Sequence, residues 1–410
     1  MSKVLDGVVV LDLSRYFSGP QATLLLAGLG AEVIKIDDPS TGDPTAFTPP
    51  FVGPNGASLN RQSDVDMSIA YLKRARAKKS LTLNLKSEEG RAIFLEMVKS
   101  ADVVMENFSA GVADRLGIGY PQLREINPRL VHCALTGYGS TGPDRNLKAY
   151  DLMVQAAVGL MSITGRPDTG PLKAGSPLSD AIAGTFAAMG IVSALYQRSQ
   201  TGQGQSVDVS MADCLFSLLF DEPLDCYEQL GMEFQQGNRI MRFSPFNAYR
   251  TGDGWIAIGV VLTPEWLAIV DLMGQPELAQ DERFVDVASR IRNAVELDAI
   301  VGAWTGAHTT DEVHRMLAGA GVPGSPVRDI DDLLRWEHLR TREMLVPLVN
   351  PLAKQAMNIL APGFPIKFSG ASTGYESPAP IPGAHTAEML ARFAGITESE
   401  LERLRQRRVV

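Results

Sequence analysis

In the stretch "NLKAYDLMVQAAVGL" (146–160) one carboxylate, Asp151, stands at the head of an apolar run with no basic residue beyond it. Taking a charge into a dry interior costs several kcal/mol unless it is paired, hydrogen-bonded or kept for chemistry. Two readings follow from the residues. As a helix cap, Asp151 accepts the free N–H of Met153 or Val154, although Val154 stands where a capping box carries Glu or Gln. As a catalytic group, it is a carboxylate nucleophile shielded from water. Asp180 opens the next apolar helix in the same way and reads as a cap.

The stretch "KRARAKKS" (73–80) concentrates Lys73, Arg74, Arg76, Lys78 and Lys79 in an acidic chain. Such a run is either a solvated face or a phosphate site, where guanidinium forks and ammonium charges meet a polyanion. No aromatic residues interleave it, so it does not read as a nucleic-acid surface. Other chemistry lacks its residues. The first βα turn, "LSRYFSGPQ", has no G-x-G-x-x-G for a dinucleotide, although Asp37 stands where a ribose-binding acid would. No Walker loop, G-x-S-x-G elbow or H-E-x-x-H is present. The five histidines are scattered singly and the three cysteines, Cys133, Cys214 and Cys226, are too dispersed for a metal clip or disulfide framework. No metal site is expected.

The elements that would position these residues alternate. "GVVVLDLS", a helix through "QATLLLAGLG" and "AEVIKID" form a βαβ unit, with Gly28 and Gly30 as the helix stop. Strand "SLTLNL", helix "SEEGRAIFLEMVKSA" capped by Ser87, and strands "DVVMENF" and "RLVHCALTGYG" continue the pattern. This predicts an α/β fold whose large domain is a Rossmann-like parallel sheet covered by helices on both faces. Ligands of such sheets bind beyond the carboxyl ends of the strands, here "SRYFSGPQ", "ENFSAGV" and "TGYGSTGP". Apolar helices follow at about 151–162 and 180–198, and then "TGDG" between two strand-like runs signals a hairpin, with helices near 264–273, 286–306 and 310–319. The expected division is a large domain over 1–200 and 331–410, a linker over 201–224, and a smaller α+β domain over 225–330.

With 410 residues, 45% hydrophobic and 21% charged, the chain has the composition of an ordinary folded protein with room for two or three cores. The net charge of −9 argues against nucleic acid or anionic membrane as a partner. "AIAGTFAAMGIVSALYQ" (181–197) is uncharged and near the length of a membrane span, but Asp180 and Arg198 bound it, and its Ala and Gly suit a packed core or subunit interface. The N-terminus lacks the apolar core of a signal peptide, and a cytoplasmic protein is expected.

The blocks "VLDLSRYFSGPQATLLLAGLGAEVIKID", "KKSLTLNLKSEEGR", "ADVVMENFSAGVADRLGIGYPQLREINPRLV", "TGYGSTGP", "AYDLMVQAAVGLMSITG" and "TGQGQSVDVSMADCL" resemble the family III CoA-transferases, the group of formyl-CoA transferase and the acyl-CoA racemases. "GNR", "DGWIAIGV", "AGVPGSPVRDI", "FPIKFSG" and "PGAHTAEML" extend the resemblance in order through most of the chain. It implies that Asp151 is a nucleophile, forming a mixed anhydride with an acyl-CoA such as succinyl-CoA and then an aspartyl-CoA thioester, which an incoming carboxylic or dicarboxylic acid discharges. No tightly bound cofactor is implied; coenzyme A enters as the acyl-CoA substrate.

For CoA, the resemblance points to Arg15, Tyr16, Gln21, Lys35, Arg76, Lys78, Asn107, Phe108, Arg115 and Tyr138. It also implies an interlaced homodimer, each active site lying between the large domain of one subunit and the small domain of the other. The racemase branch carries His before the aspartate and a second acid at the position of Asp180. Here Tyr150 precedes Asp151, which removes a proton-transfer partner and favours transfer. Racemase or other α-proton chemistry and non-catalytic acyl-CoA binding are the alternatives. The family's "NRGK" is "ARAK" here, and the glycine-rich loop of formyl-CoA transferase is replaced by "GNRIMRFSP" (237–245), which speaks against formate and oxalate as the substrate pair. In that segment Arg239 and Arg242 either hold the distal carboxylate of a dicarboxylic acyl group or pair with acidic residues of the protein.

Overall fold

Six short runs, most of them rich in Val, Ile and Leu, build one parallel sheet: β1 (Val9–Asp12), β2 (Glu32–Asp37), β3 (Lys78–Thr82), β4 (Val103–Glu106), β5 (Val131–Thr136) and β6 (Ser206–Ser210). This is a computed structural model, and it describes residues 2–410. The strand order is β3-β2-β1-β4-β5-β6, with every neighbouring pair parallel. The order reverses direction between β1 and β4, the switch point where a doubly wound sheet opens a crevice. Near-continuous apolar strands are what two covered faces require. On one face Leu11, Ile34 and Val104 pack against helix α2 (Glu88–Val98) and the C-terminal helices Thr386–Ala394 and Glu398–Gln406. The other face carries helix α1 (Ser18–Gly28) and the long helix α4 (Leu178–Thr201), which pack together. Their approach is close because α4 offers Gly184: a Cβ there would lie 2.6 Å from the Ser18 carbonyl oxygen.

The chain divides into two units, one comprising residues up to Val158, Gly175–Glu222 and Glu337–Val410, the other Gly159–Ala174 and Pro223–Trp336. Residues 201–224 are therefore not the expected linker. Up to Glu222 they belong to the first unit, because β6 completes the sheet beside β5 and helix α5 (Met211–Leu219) follows it. The strand expected over 80–85 begins earlier, at Lys78, whose register partner is Val33. The helix expected from 151 to 162 ends sooner: α3 spans Asp151–Ala157, and Gly159 at φ 88° turns the chain out of it. Nor does that run enter a dry interior. Tyr150, Leu152 and Met153 are exposed, and in the helix only Val154 and Gln155 are buried. The uncharged α4 is long and apolar enough to cross a membrane, and here it lies against α1, β5 and β6, with Arg198 paired to Asp102 at 2.8 Å.

In the second unit the "TGDG" turn joins β7 (Phe246–Arg250) to β8 (Trp255–Gly259), which pairs in turn with β9 (Gly324–Pro326), both antiparallel. Ile256, Trp266, Phe284, Leu297 and Val301 form the core. The helical stretch near 286–306 is two helices, Val287–Arg292 and Ala294–Gly306, parted at Asn293.

Candidate active site

At the switch point, β1 runs out into Ser14, Arg15 and Tyr16, and β4 into Asn107 and Phe108. Asn107 ties the two together: its Oδ1 accepts from the Arg15 N–H and its Nδ2 donates to the Arg15 carbonyl, each at 2.8 Å. Arg15 also stands over the Phe108 ring at 5.8 Å. Tyr16 adopts φ 66°, a left-handed conformation rare for a residue with a bulky side chain. It is held there by Arg74, which donates to its carbonyl at 2.9 Å, and by Thr45, which donates to the same oxygen at 3.2 Å. The Tyr16 ring meets Tyr150 edge-on at 6.1 Å. Beside them opens a cavity of about 330 Å³, lined by Tyr16, Ser18, Asn107, Phe108, Tyr150 and Asp180 among others.

Asp151 adjoins this cavity in sequence rather than lining it, and neither cap reading survives. Asp151 is the first residue of α3, and its carboxylate takes no backbone N–H from its own helix. Oδ1 accepts from the Ser179 backbone N–H at 2.9 Å and the Ser179 hydroxyl at 2.7 Å, and Oδ2 accepts from Gln155 Nε2 at 2.7 Å. Ser179 is the second residue of α4, so the carboxylate meets the positive end of a 24-residue helix. Asp180 lies third in α4 and is bonded by Ser18 through both hydroxyl and backbone. Burial, together with the charge of Asp151, pushes the Asp180 carboxyl up to about 6, against Ser18 and the field of Arg74.

The basic residues are spread widely. Lys35 is buried between Asp37 at 2.9 Å and Asp43 at 3.0 Å and donates to the Ser14 carbonyl at 2.9 Å. Burial works against its charge, yet Asp37, Asp43 and Asp12 outweigh it and raise its pKa. Lys78 is buried against Asp12 at 3.0 Å and Thr23 Oγ1 at 2.7 Å. Arg76 is buried, donating to the carbonyls of Lys73 at 3.0 Å and Pro362 at 2.9 Å, with Tyr375 under its guanidinium. These three cations are thus committed inside the protein, whereas Arg145 and Lys148, not singled out in the sequence, line the cavity. Gln21 packs on α4 at Gly184, Arg115 is exposed and Tyr138 is half-buried in the turn after β5. Of the expected CoA contacts, the structure gathers Tyr16, Asn107 and Phe108 at the cavity, with Arg15 bound to Asn107 beside them. In the second unit Arg239 pairs with Asp298 at 2.6 Å, which also takes the Tyr249 hydroxyl at 2.6 Å and Asn247 Nδ2 at 2.8 Å. That is the internal pairing weighed against a carboxylate-binding role; Arg242 is exposed. The sequence reading missed Gln155 and Ser179. Gln155 carried a signal, the i, i+4 spacing at which Gln reaches Asp on a helix; Ser179 carried none.

Known proteins place this geometry. The sequence profile of CoA-transferase family III matches residues 5–386. The acetyl-CoA:oxalate CoA-transferase of Acetobacter aceti is 38% identical over 92% of this chain and 92% of its own length. The succinyl-CoA–D-citramalate CoA-transferase of Chloroflexus aurantiacus is 33% identical over 99% of this chain and 98% of its own. The succinate–glutarate CoA-transferase of Agrobacterium fabrum is 32% identical over 96% of each. Among solved structures, a CAIB/BAIF family protein from Brucella suis superposes with a TM-score of 0.80 at 31% identity, covering 96% of this chain and all of that one. The doubly wound sheet and the block order through residue 386 agree with these matches, and the chain belongs to CoA-transferase family III, an enzyme of that type.

Proposed function

We propose that this enzyme moves CoA from an acyl-CoA such as succinyl-CoA to a small carboxylic or dicarboxylic acid through covalent intermediates on Asp151. The observation that carries the reading is the Asp151 carboxylate itself, held by three donors from Ser179 and Gln155 beside a cavity at the strand ends. Asp151 attacks the thioester carbon, a C–O bond forms, the C–S bond breaks and CoA thiolate is released. The thiolate then attacks Asp151 Cγ, expelling the donor acid and leaving an aspartyl-CoA thioester; the acceptor carboxylate runs the sequence backwards. Charge and atoms balance, and no outside reductant or metal is needed. Oxalate, citramalate, succinate and glutarate, in the names of the relatives, are all dicarboxylic acids, which supports a dicarboxylate as donor or acceptor. Oxalate returns as a candidate, because a relative named for it is 38% identical without settling the role of the missing glycine-rich loop.

The second part of the proposal is the assembly. Tyr150, Leu152 and Met153 by Asp151, with Met189 and Tyr196 on α4, Phe216 on α5 and Phe220 just after it, are large hydrophobic side chains exposed in the single chain. These helices pack against one another, exposed apolar side chains on such a face are the kind of surface a partner covers, and a second copy of the chain, interlaced with the first, is proposed to cover it.

The test is peptide mass spectrometry after incubation with succinyl-CoA and other acyl-CoAs and borohydride trapping, with Asp151→Ala as control. A CoA-bearing or reduced Asp151, absent from the variant, is expected. No adduct with any donor, despite CoA binding, would refute covalent transfer and direct attention to α-proton exchange in deuterated water.

A further inference from the structure

The two oxygens of Asp151 are held unequally. Oδ1 receives two donors from one fully buried residue, the Ser179 N–H at 2.9 Å and the Ser179 hydroxyl at 2.7 Å, whereas Oδ2 receives only the terminal amide of Gln155 at 2.7 Å. The backbone N–H is fixed by α4 and belongs to the first turn, whose amides have no acceptor within their own helix. The hydroxyl is wholly enclosed, and its other acceptor, the Asp151 carbonyl at 3.3 Å, is the more distant of the two.

We infer that Ser179 forms an oxyanion hole for Asp151 itself, stabilising charge on Oδ1 whenever Cγ, rather than the substrate carbonyl, is the carbon under attack. The inference rests on the covalent function proposed above and adds to it the group that makes the aspartyl carbon reactive. The route has two kinds of tetrahedral centre. When Asp151 Oδ2 attacks the thioester, negative charge gathers on the substrate oxygen. When CoA thiolate attacks Cγ of the anhydride, the Cγ=Oδ1 π pair moves onto Oδ1. Collapse keeps the new Cγ–S bond, breaks Cγ–Oδ2 and sends Oδ2 away with the donor acid. When the acceptor carboxylate attacks the aspartyl thioester, charge again gathers on Oδ1, and the thiolate leaves with the C–S electron pair. A carboxylate oxygen of the acceptor becomes the new Oδ2 once the thiolate takes the acyl group. Oδ1 stays on the enzyme throughout, and it is the oxygen that already carries the fixed N–H and the enclosed hydroxyl. Donors set in place before charge develops need no reorganisation when it does. Oδ2 is replaced at each turnover, and its one contact is a side-chain amide that can release it.

Ser179→Ala keeps the backbone N–H and removes the hydroxyl. It should lower kcat about 100-fold, in the range seen on loss of one oxyanion donor, with both KM values within about threefold. Attack on the substrate thioester does not place charge on Oδ1, so anhydride formation should persist. Rapid quench should then show an enzyme-equivalent burst of free CoA thiol that decays slowly into the aspartyl-CoA adduct, whereas in the unaltered enzyme the thiol is consumed into the adduct as fast as it is released and no thiol burst is seen. Ser179→Cys, close in size with a weaker donor, should fall between Ser and Ala. Turnover of Ser179→Ala within about threefold of the unaltered enzyme, or equal slowing of thiol release and adduct formation, would overturn the inference and leave Ser179 only fixing the Asp151 side chain. If Ser179→Ala does not fold, Ser179→Cys decides: a rate equal to that of serine overturns it. Asp151→Ala should give neither thiol nor adduct; if it turned over, the covalent function would fail whatever the Ser179 variants did.

Discussion

Asp180 follows Ser179 in the chain and lines the cavity, and its carboxyl, pushed up to about 6 by burial and by Asp151, is a group at the site whose state changes on the way to neutrality. A carboxyl whose pKa rises on folding stabilises the fold only while protonated. Its contribution is complete below the ordinary value of 3.8 and is lost as the pH climbs through about 6. Asp180→Asn does not ionise, so it should raise Tm near pH 8 and leave it almost unchanged near pH 4. Discounted for partial exposure, the gain at high pH is about 1–2 kcal/mol. Thermal melts of the two proteins between those limits measure it, and a Tm difference independent of pH would show that Asp180 titrates as an ordinary aspartate. The Tyr150 ring beside it meets Tyr16 edge-on.

Among the elements, β1, β2, β3 and α1 are joined by a buried set of charges beneath the loop that carries Tyr16. Asp12 accepts from Lys78 at 3.0 Å, from Thr23 at 2.6 Å and from Ser14, and Lys35 links Asp37, Asp43 and the Ser14 carbonyl. Asp43 in turn accepts the Tyr16 N–H at 3.4 Å. The cluster therefore ties the strand ends to the strained residue at the cavity. Lys78→Met would leave Asp12 charged and under-partnered in the interior, at a cost of about 3–5 kcal/mol; pairing it with Asp12→Asn should recover part of that loss. Urea denaturation of the single and double variants compares them. A single-variant cost below about 1 kcal/mol would mean that Lys78 does not hold Asp12 in the fold.

For the whole molecule, an interlaced homodimer makes a prediction that a docked one does not. Sedimentation should give twice the chain mass, and two differently tagged preparations mixed in the folded state should not exchange subunits, because linked chains separate only by unfolding. Mixed dimers should form on co-expression or on refolding together. A monomer, or free exchange under native conditions, would rule out interlacing. The exposed aromatic and aliphatic side chains of α3, α4 and α5 are the surface such a partner should protect from hydrogen exchange and labelling.

What could be read without coordinates was what depends on local pattern. The βαβ alternation, the Ser87 cap, which accepts the Gly90 N–H at 3.0 Å, and the hairpin at "TGDG" depend on residues within a turn or two of one another. Asp151 stood out because an isolated charge before an apolar run is visible in any sequence. Tertiary structure alone decided where long side chains end. Lys35, Arg76 and Lys78 look equally suited to a phosphate or to an internal partner, and it is the parallel pairing of β2 and β3 beside β1 that surrounds the lysines with carboxylates. The same holds for residues 201–224, polar and glycine-rich at their start yet drawn into β6 by the free edge of β5. Ser179 is the clearest case. The neighbouring Asp180 stood out but the serine itself did not, and it meets Asp151, 28 residues away, only because α3 and α4 bring their first turns together. Local pattern specifies which groups are present, but hydrogen bonds act over about 3 Å, and only the folded backbone brings distant groups within that distance.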